Sequence, residues 1–270
     1  MEKEISYQEQ RIFEIPTRIS ASYKEHRVFK TPPRTRIVWK YMSFAKFVWL
    51  IAKESLYFSR LDQHDDEWEG WLPNNWSIQN KMYARFSNYI NCWHMNDNES
   101  DAMWKLYGNP VGDTVAIRTT VGRLIKSLGK AGGIEVYIGK INYKEPDRPA
   151  DNLYWPVIYK RKPFQHEKEL RLCVHPSSDN PPSLTELKQA LANLGIDHWH
   201  GVVDTLKKSG NKGIQVPVDL TQLIQKVVLC PNSEEWLFDS VRHIIKDKIS
   251  HKRIVKSEMR SRVEQGLRER

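Results

Sequence analysis

Glu167-Lys-Glu-Leu-Arg-Leu-Cys-Val-His175 alternates charged and apolar residues with a period of two. Successive side chains of a strand point to opposite faces. The run therefore predicts a strand that sends Leu170, Leu172 and Val174 into a core and lines its other face with Glu167, Glu169 and Arg171. Two like charges on one strand face repel and need a reason. Either they serve sugar chemistry, or Arg171, Lys160, Arg161 or Lys168 neutralise them from their own and neighbouring strands, at about 0.2 to 1 kcal/mol per exposed pair.

On both sides of this run, strands and helices follow one another without a regular alternation. Residues 36–41 read as a strand, Ser43 as the cap of a helix with Phe44, Phe47, Val48 and Ile51 on one stripe, and residues 56–59 as a second strand. A helix over about 78–89 leads to a strand at 91–94, and residues 100–107 form a short helix closed by Gly108. Residues 115–117 are strand-like, and Val121, Leu124, Ile125 and Leu128 make a helical stripe. Residues 134–143 and 153–160 alternate as strands do, with 144–149 connecting them. Ser183 and Glu186 form a capping box for a helix that Gly195 ends, 214–218 and 227–230 are strands, and a last helix starts near Ser233. The order predicts an α+β fold, a mixed sheet core with flanking helices. Its expected divisions are an N-terminal arm (1–36), the core (37–232) and a C-terminal helix with a basic tail (233–270).

The chain has 270 residues, 40% of them hydrophobic, with Trp 10 and Tyr 11, enough for one sizeable core. Its longest apolar cluster, residues 44–52, is interrupted by Lys46 and falls short of the roughly 18 residues a membrane span needs. Met1-Glu-Lys-Glu-Ile5 is too acidic and polar for a signal peptide. Cys92, Cys173 and Cys230 each sit in an apolar run, which predicts a reducing, cytoplasmic setting without a disulfide framework. The net charge of +9 is concentrated at the ends, where residues 1–36 hold eight Lys/Arg against five Asp/Glu and residues 242–270 ten against four. The basic stretch 246–270 is either a solvated helical tail or a salt-sensitive contact for nucleic-acid phosphates.

Cys92-x-His94 and Cys173-x-His175 each put a thiol and an imidazole on one strand face, but their spacing matches no common zinc module. His64, Asp65, Asp66, Glu67 and Glu69 offer oxygen ligands without the glycine of a calcium loop. No Walker loop, G-x-G-x-x-G, G-x-S-x-G or H-E-x-x-H occurs. That excludes the usual nucleotide, esterase and zinc-protease readings, and no metal is expected. Met103 and Trp104 lie at helical spacing to Tyr107, which suits core packing.

Across residues 39–257 the chain resembles a bacterial family of uncharacterised function. The residues that carry the resemblance are Trp39-Lys-Tyr41, Leu56-Tyr-Phe-Ser59, Asp66 to Gly70, Cys92-Trp93, Ala102-Met-Trp104 with Tyr107, Tyr159-Lys-Arg161, Phe164 and Glu167-Lys-Glu-Leu-Arg171. Val218-Asp-Leu220, Leu223-Ile224, Pro231 and Trp236 continue it. The opening strand, helix and short aromatic strand ending in Ser59 also look like the start of ADP-ribosyltransferases. Those enzymes place an Arg or His on the first strand, a Ser or Tyr after the second, and a Glu on a late strand, often as Glu-x-Glu. The resemblance implies an ADP-ribosyltransferase-like fold and NAD as cofactor. It implies Lys40 and Tyr41 at the first position, Ser59 at the second, and Glu169 as the carboxylate that stabilises the ribosyl cation. Glu167 would then orient or deprotonate the acceptor, and Trp68 and Trp71 would stack on a base or on nicotinamide. Lys40 departs from the pattern, which has Arg or His. A toxin or antiviral defence effector of this class would have a nucleic acid as a possible acceptor and an antitoxin-like protein as a possible partner. The competing expectation is a non-catalytic module that binds nucleic acid or a partner through its basic ends.

Overall fold

The period-two run does form a strand in the computed structural model, which describes residues 21–27, 29–64, 85, 87–108, 112–129, 133–144, 155–174 and 212–259. Among these residues ten strands join one sheet. They are β1 (Ala21–Lys24), β2 (Ile37–Ser43), β3 (Ser55–Arg60), β4 (Tyr89–Met95), β5 (Thr114–Thr120), β6 (Ile134–Lys140), β7 (Glu169–Val174), β8 (Gly213–Pro217), β9 (Lys226–Leu229) and β10 (Ile254–Lys256). The spatial order is β1-β6-β7-β4-β2-β5-β9-β10, with β3 branching from β4 and pairing in turn with β8. The outer pairs β1–β6 and β9–β10 are parallel, and the remaining pairs are antiparallel. The helices are α1 (Phe44–Lys53), α2 (Asp101–Tyr107), α3 (Val121–Ser127), α4 (Trp155–Ile158), α5 (Leu220–Leu223) and α6 (Glu235–Ile245). This is the mixed sheet with flanking helices that the element order predicts.

Local chemistry accounts for several boundaries. Ser43, Ser100 and Thr120 each turn a side-chain oxygen to an amide of the first turn of α1, α2 and α3. The α1 stripe buries Phe47, Leu50 and Ile51 against the sheet, and each such side chain contributes about 1.5 to 3 kcal/mol. Leu170, Leu172 and Val174 enter this main core, as their spacing predicts.

Four expectations are corrected. Glu167 is not on the strand: it closes a 3-10 helix, Lys162–Glu167, with Pro163 in its first turn, and Lys168 then turns through a left-handed conformation at φ 42°. The face opposite the main core is not open to solvent, because every residue of β7 is buried. Part of the stretch read as a strand over 153–160 is α4, since Pro156 suits a first helical turn, where its missing N–H costs nothing. The arm and the tail each give a strand to the sheet, Ala21–Lys24 and Ile254–Lys256, as the backbone pairs along β6 and β9. The capping box at Ser183 and the acidic loop beyond His64 lie outside the described residues.

The sheet forks at β4. β2 pairs with β4 only at Val38↔Met95 and Trp39↔His94, while β3 pairs with it only at Ser59↔Ile90 and Arg60↔Tyr89. Between these registers β4 runs through Asn91, Cys92 and Trp93, and side chains fill the gap. Asn91 donates Nδ2–H to the Tyr57 carbonyl at 2.7 Å, and Lys40 donates Nζ–H to the Cys92 carbonyl at 2.9 Å.

Candidate active site

The fork collects chemistry from distant parts of the chain. Antiparallel partners share a face, so the pairs Trp39↔His94, His94↔Glu169 and Cys92↔Arg171 put Trp39, Cys92, His94, Glu169 and Arg171 on one side of the sheet. Ser59, opposite Ile90, joins that side. Lys40 starts from the other side, with its ammonium 5.6 Å from the centre of the Trp93 ring, and ends at the Cys92 carbonyl inside the fork.

Charges at the site are arranged in layers. Arg171, fully buried, grips Glu169 with Nε to Oε1 at 2.6 Å and Nη2 to Oε2 at 3.1 Å. Lys160 bridges the two carboxylates, 2.7 Å from Glu167 Oε2 and 3.3 Å from Glu169 Oε2. Glu169 also donates its amide to the Tyr143 hydroxyl at 2.7 Å. Burial raises the Glu169 carboxyl, while the Lys160 ammonium and the Cys92 thiol pull it back. Burial pulls Lys160 down, yet Glu169 and Glu167 outweigh it and hold the ammonium above its ordinary value. The Cys92 thiol is pushed well up, by burial first and by Glu169 second, so it stays protonated as a donor rather than a nucleophile.

Lys40 differs from the other two cations. Among the described residues it makes no ion pair, and burial lowers it to about 8, with Cys92 and Glu169 acting in the opposite direction. Its single hydrogen bond to a backbone oxygen leaves two N–H groups for a ligand. Ser59 Oγ lies 3.0 Å from His64 Nε2. Burial, then Arg171, Lys160 and Lys40, lower His64 to about 3, so the ring is neutral at physiological pH and too weak a base to activate a serine. At the end of α2 the Tyr107 phenol is raised by burial first and then by Cys92, Glu167 and Glu169, with Lys160 opposing.

Lys40, Ser59, Glu167 and Glu169 therefore belong to one neighbourhood. Tyr41 is occupied elsewhere: its hydroxyl accepts the Ser100 amide at 3.0 Å and its ring packs edge-on against Trp104 at 4.8 Å, fastening α2 to the sheet. Trp68 and Trp71 lie outside the described residues. His64, Cys92, Lys160, Arg171, Tyr107 and Tyr143 complete the neighbourhood. No local period marks them as a set, because they meet only when β2, β3, β4 and β7 are assembled. Among the described residues no three His, Cys, Asp or Glu side chains are grouped to hold a metal ion. No helix among them is long and apolar enough to cross a membrane. Comparisons with protein-family models, curated proteins and solved structures find no match to this chain.

Proposed function

We propose that the protein is an NAD-dependent ADP-ribosyltransferase with an ADP-ribosyltransferase-like fold, acting on a macromolecule inside a bacterial cell as a toxin or defence effector. The observation that supports this reading is the gathering of Lys40, Ser59 and the Glu167/Glu169 pair at a fork in the sheet. Lys40 suits the anionic pyrophosphate of NAD, since its ammonium has donors to spare and no carboxylate partner among the described residues. Breaking the bond between ribose and nicotinamide develops positive charge on the ribose, and a carboxylate held nearby stabilises that charge. Glu169 takes this role, and Glu167, the more exposed of the two, orients the acceptor and takes its proton as the new glycosidic bond forms.

The test is transfer of labelled ADP-ribose from NAD to separate pools of RNA, DNA and cell protein, by wild type, Glu169→Gln and Glu167→Gln, with folding checked by circular dichroism. Labelling of one pool that falls at least 100-fold in folded Glu169→Gln supports the mechanism. Full transfer by Glu169→Gln sinks it, and loss in Glu167→Gln alone would exchange the two carboxylate roles. A second reading, a non-catalytic binding module, is favoured by the bidentate hold of Arg171 on Glu169, which is also what a purely structural pair looks like. It predicts neither label nor released nicotinamide.

A further inference from the structure

Away from the fork, a group of cations surrounds the carboxyl end of α5 without an ion pair among the described residues, although the Asp219 carboxylate attracts Arg123 through space. Arg123 donates Nη2–H to the Thr221 carbonyl at 2.6 Å and, at 3.5 Å, to that of Ile224. Arg253 reaches the same two oxygens with Nη1, at 2.9 and 2.5 Å. One guanidinium would suffice to satisfy these helix-end carbonyls. The second adds like charge, and burial together with Arg253 lowers Arg123 below its ordinary value. Arg123 Nε is buried without a hydrogen-bond partner. Next to them Arg118 donates to Gln225 Oε1 at 2.9 Å, and Lys226, exposed, stands directly opposite Arg118 across β5 and β9.

Among the described residues none of these four cations forms an ion pair. The nearby carboxylate, Asp219, spends Oδ1 on the Thr221 amide, the Thr221 hydroxyl and the Gln222 amide, capping α5. Each guanidinium still has N–H groups to offer.

The position of the group matters as much as its charge. The registers Lys226↔Arg118, Arg118↔Trp39, Trp39↔His94 and His94↔Glu169 form one continuous row on one face of the sheet. At about 4.8 Å per strand the row carries Arg118 to within roughly 14 Å of Glu169. Trp39, His94 and Glu169 are buried, so only the Arg118–Lys226 end of the row faces solvent.

We propose that Arg118, Arg123, Lys226 and Arg253 bind the phosphodiester backbone of a nucleic acid at the solvent-facing end of this row. Presenting that strand to the site rests on the transferase reading; the binding does not. Cations spread over a surface, with no ion pair among the described residues, suit a repeated phosphate charge contacted independently of sequence.

The probe is a fluorescent single-stranded 20-mer, as RNA and as DNA of two unrelated sequences, titrated with full-length protein without NAD at several salt concentrations. Wild type is expected to bind all sequences alike, with affinity falling about as the third power of salt. Lys226→Glu, an exposed change that breaks no hydrogen bond, should weaken binding about 10-fold on every sequence and lower the salt exponent by about one, and Arg118→Gln should do the same. Lys246→Glu, in the basic tail, should change binding less than two-fold. Absence of binding, indifference to Lys226→Glu and Arg118→Gln, or an equal loss in Lys246→Glu would each overturn the proposal. Binding kept in Glu169→Gln with no transfer by wild type would end the transferase reading and leave this surface standing. Transfer without such binding would do the reverse.

Discussion

Lys40 is a cation placed where a cation is costly. Its folded value of about 8, against an ordinary 10.5, means that the unfolded chain binds more protons between those pH values, so this residue makes stability rise with pH across that window. Below pH 8 the full cost of the buried ammonium is present. Lys40→Met is therefore expected to stabilise the protein by about 2 kcal/mol at pH 7, a gain that fades toward pH 10.5, while abolishing transfer. Denaturant titrations of both proteins at pH 7 and 10, beside the transfer assay, check all three parts. In wild type, transfer should decline as pH rises through about 8. A destabilised Lys40→Met protein, or one with full activity, would remove Lys40 from the site. Glu169 is the opposite case. Its burial is compensated by Arg171 and Lys160, and removing one partner of such a buried pair costs about 3 to 5 kcal/mol, so the loss of activity in its variants counts only when folding is preserved.

At the level of elements, β6 shows how tightly the face that carries the site is covered. Gly139 lies under the Phe29 ring, and a Cβ added there would come within 2.3 Å of Phe29 Cδ2. Phe29, Tyr137, Ile141, Val157, Ile158 and Cys173 form a second, smaller core on that face, beside Arg171 and Glu169. Gly139→Ala should therefore cost about 2 kcal/mol by overpacking, measured as a lower denaturation midpoint. Phe29→Leu in the same chain should recover part of that loss. A neutral Gly139→Ala would mean that Phe29 does not pack on this strand. This second core also explains why the period-two run was half legible. Alternation identified Leu170, Leu172 and Val174 as core residues, but alternation cannot tell a solvent face from a face closed by a polar cluster. Strand β7 is buried on both sides because its charges neutralise one another.

Over the whole molecule, Ala21–Lys24 and Ile254–Lys256, from the arm and the tail, take part in the sheet. Glu99 receives the Trp104 indole N–H at 2.9 Å, the Glu258 amide at 2.9 Å and the Ser257 hydroxyl, tying the C-terminal segment to α2 beside the site. Removing residues 254–270 would strip β10 from β9, expose the edge of β9 and take two of the three donors from Glu99. A loss on the order of 2 kcal/mol, with aggregation on heating, is expected. At about 2 to 4 °C per kcal/mol in a chain of this size, calorimetry should find the melting temperature of the truncated chain lower by about 4 to 8 °C, and an unchanged value would make Ile254–Lys256 an appendage.

The mixture of strands and helices, the cap at Ser43, the short helix closed by Gly108, Phe47 and Ile51 of the α1 stripe and the apolar side of β7 were legible in the residues alone. They rest on interactions between positions two to four apart, and local spacing records those directly. The fork at β4 and the meeting of Lys40, Ser59, Lys160 and Glu169 were not legible as a site. Nor was the row from Lys226 through Arg118 and His94 to Glu169. Each depends on which strands become neighbours and in what register, and pairing between residues far apart in the chain, from Ser59↔Ile90 to Arg118↔Lys226, is set by how the cores close, not by any period within a strand.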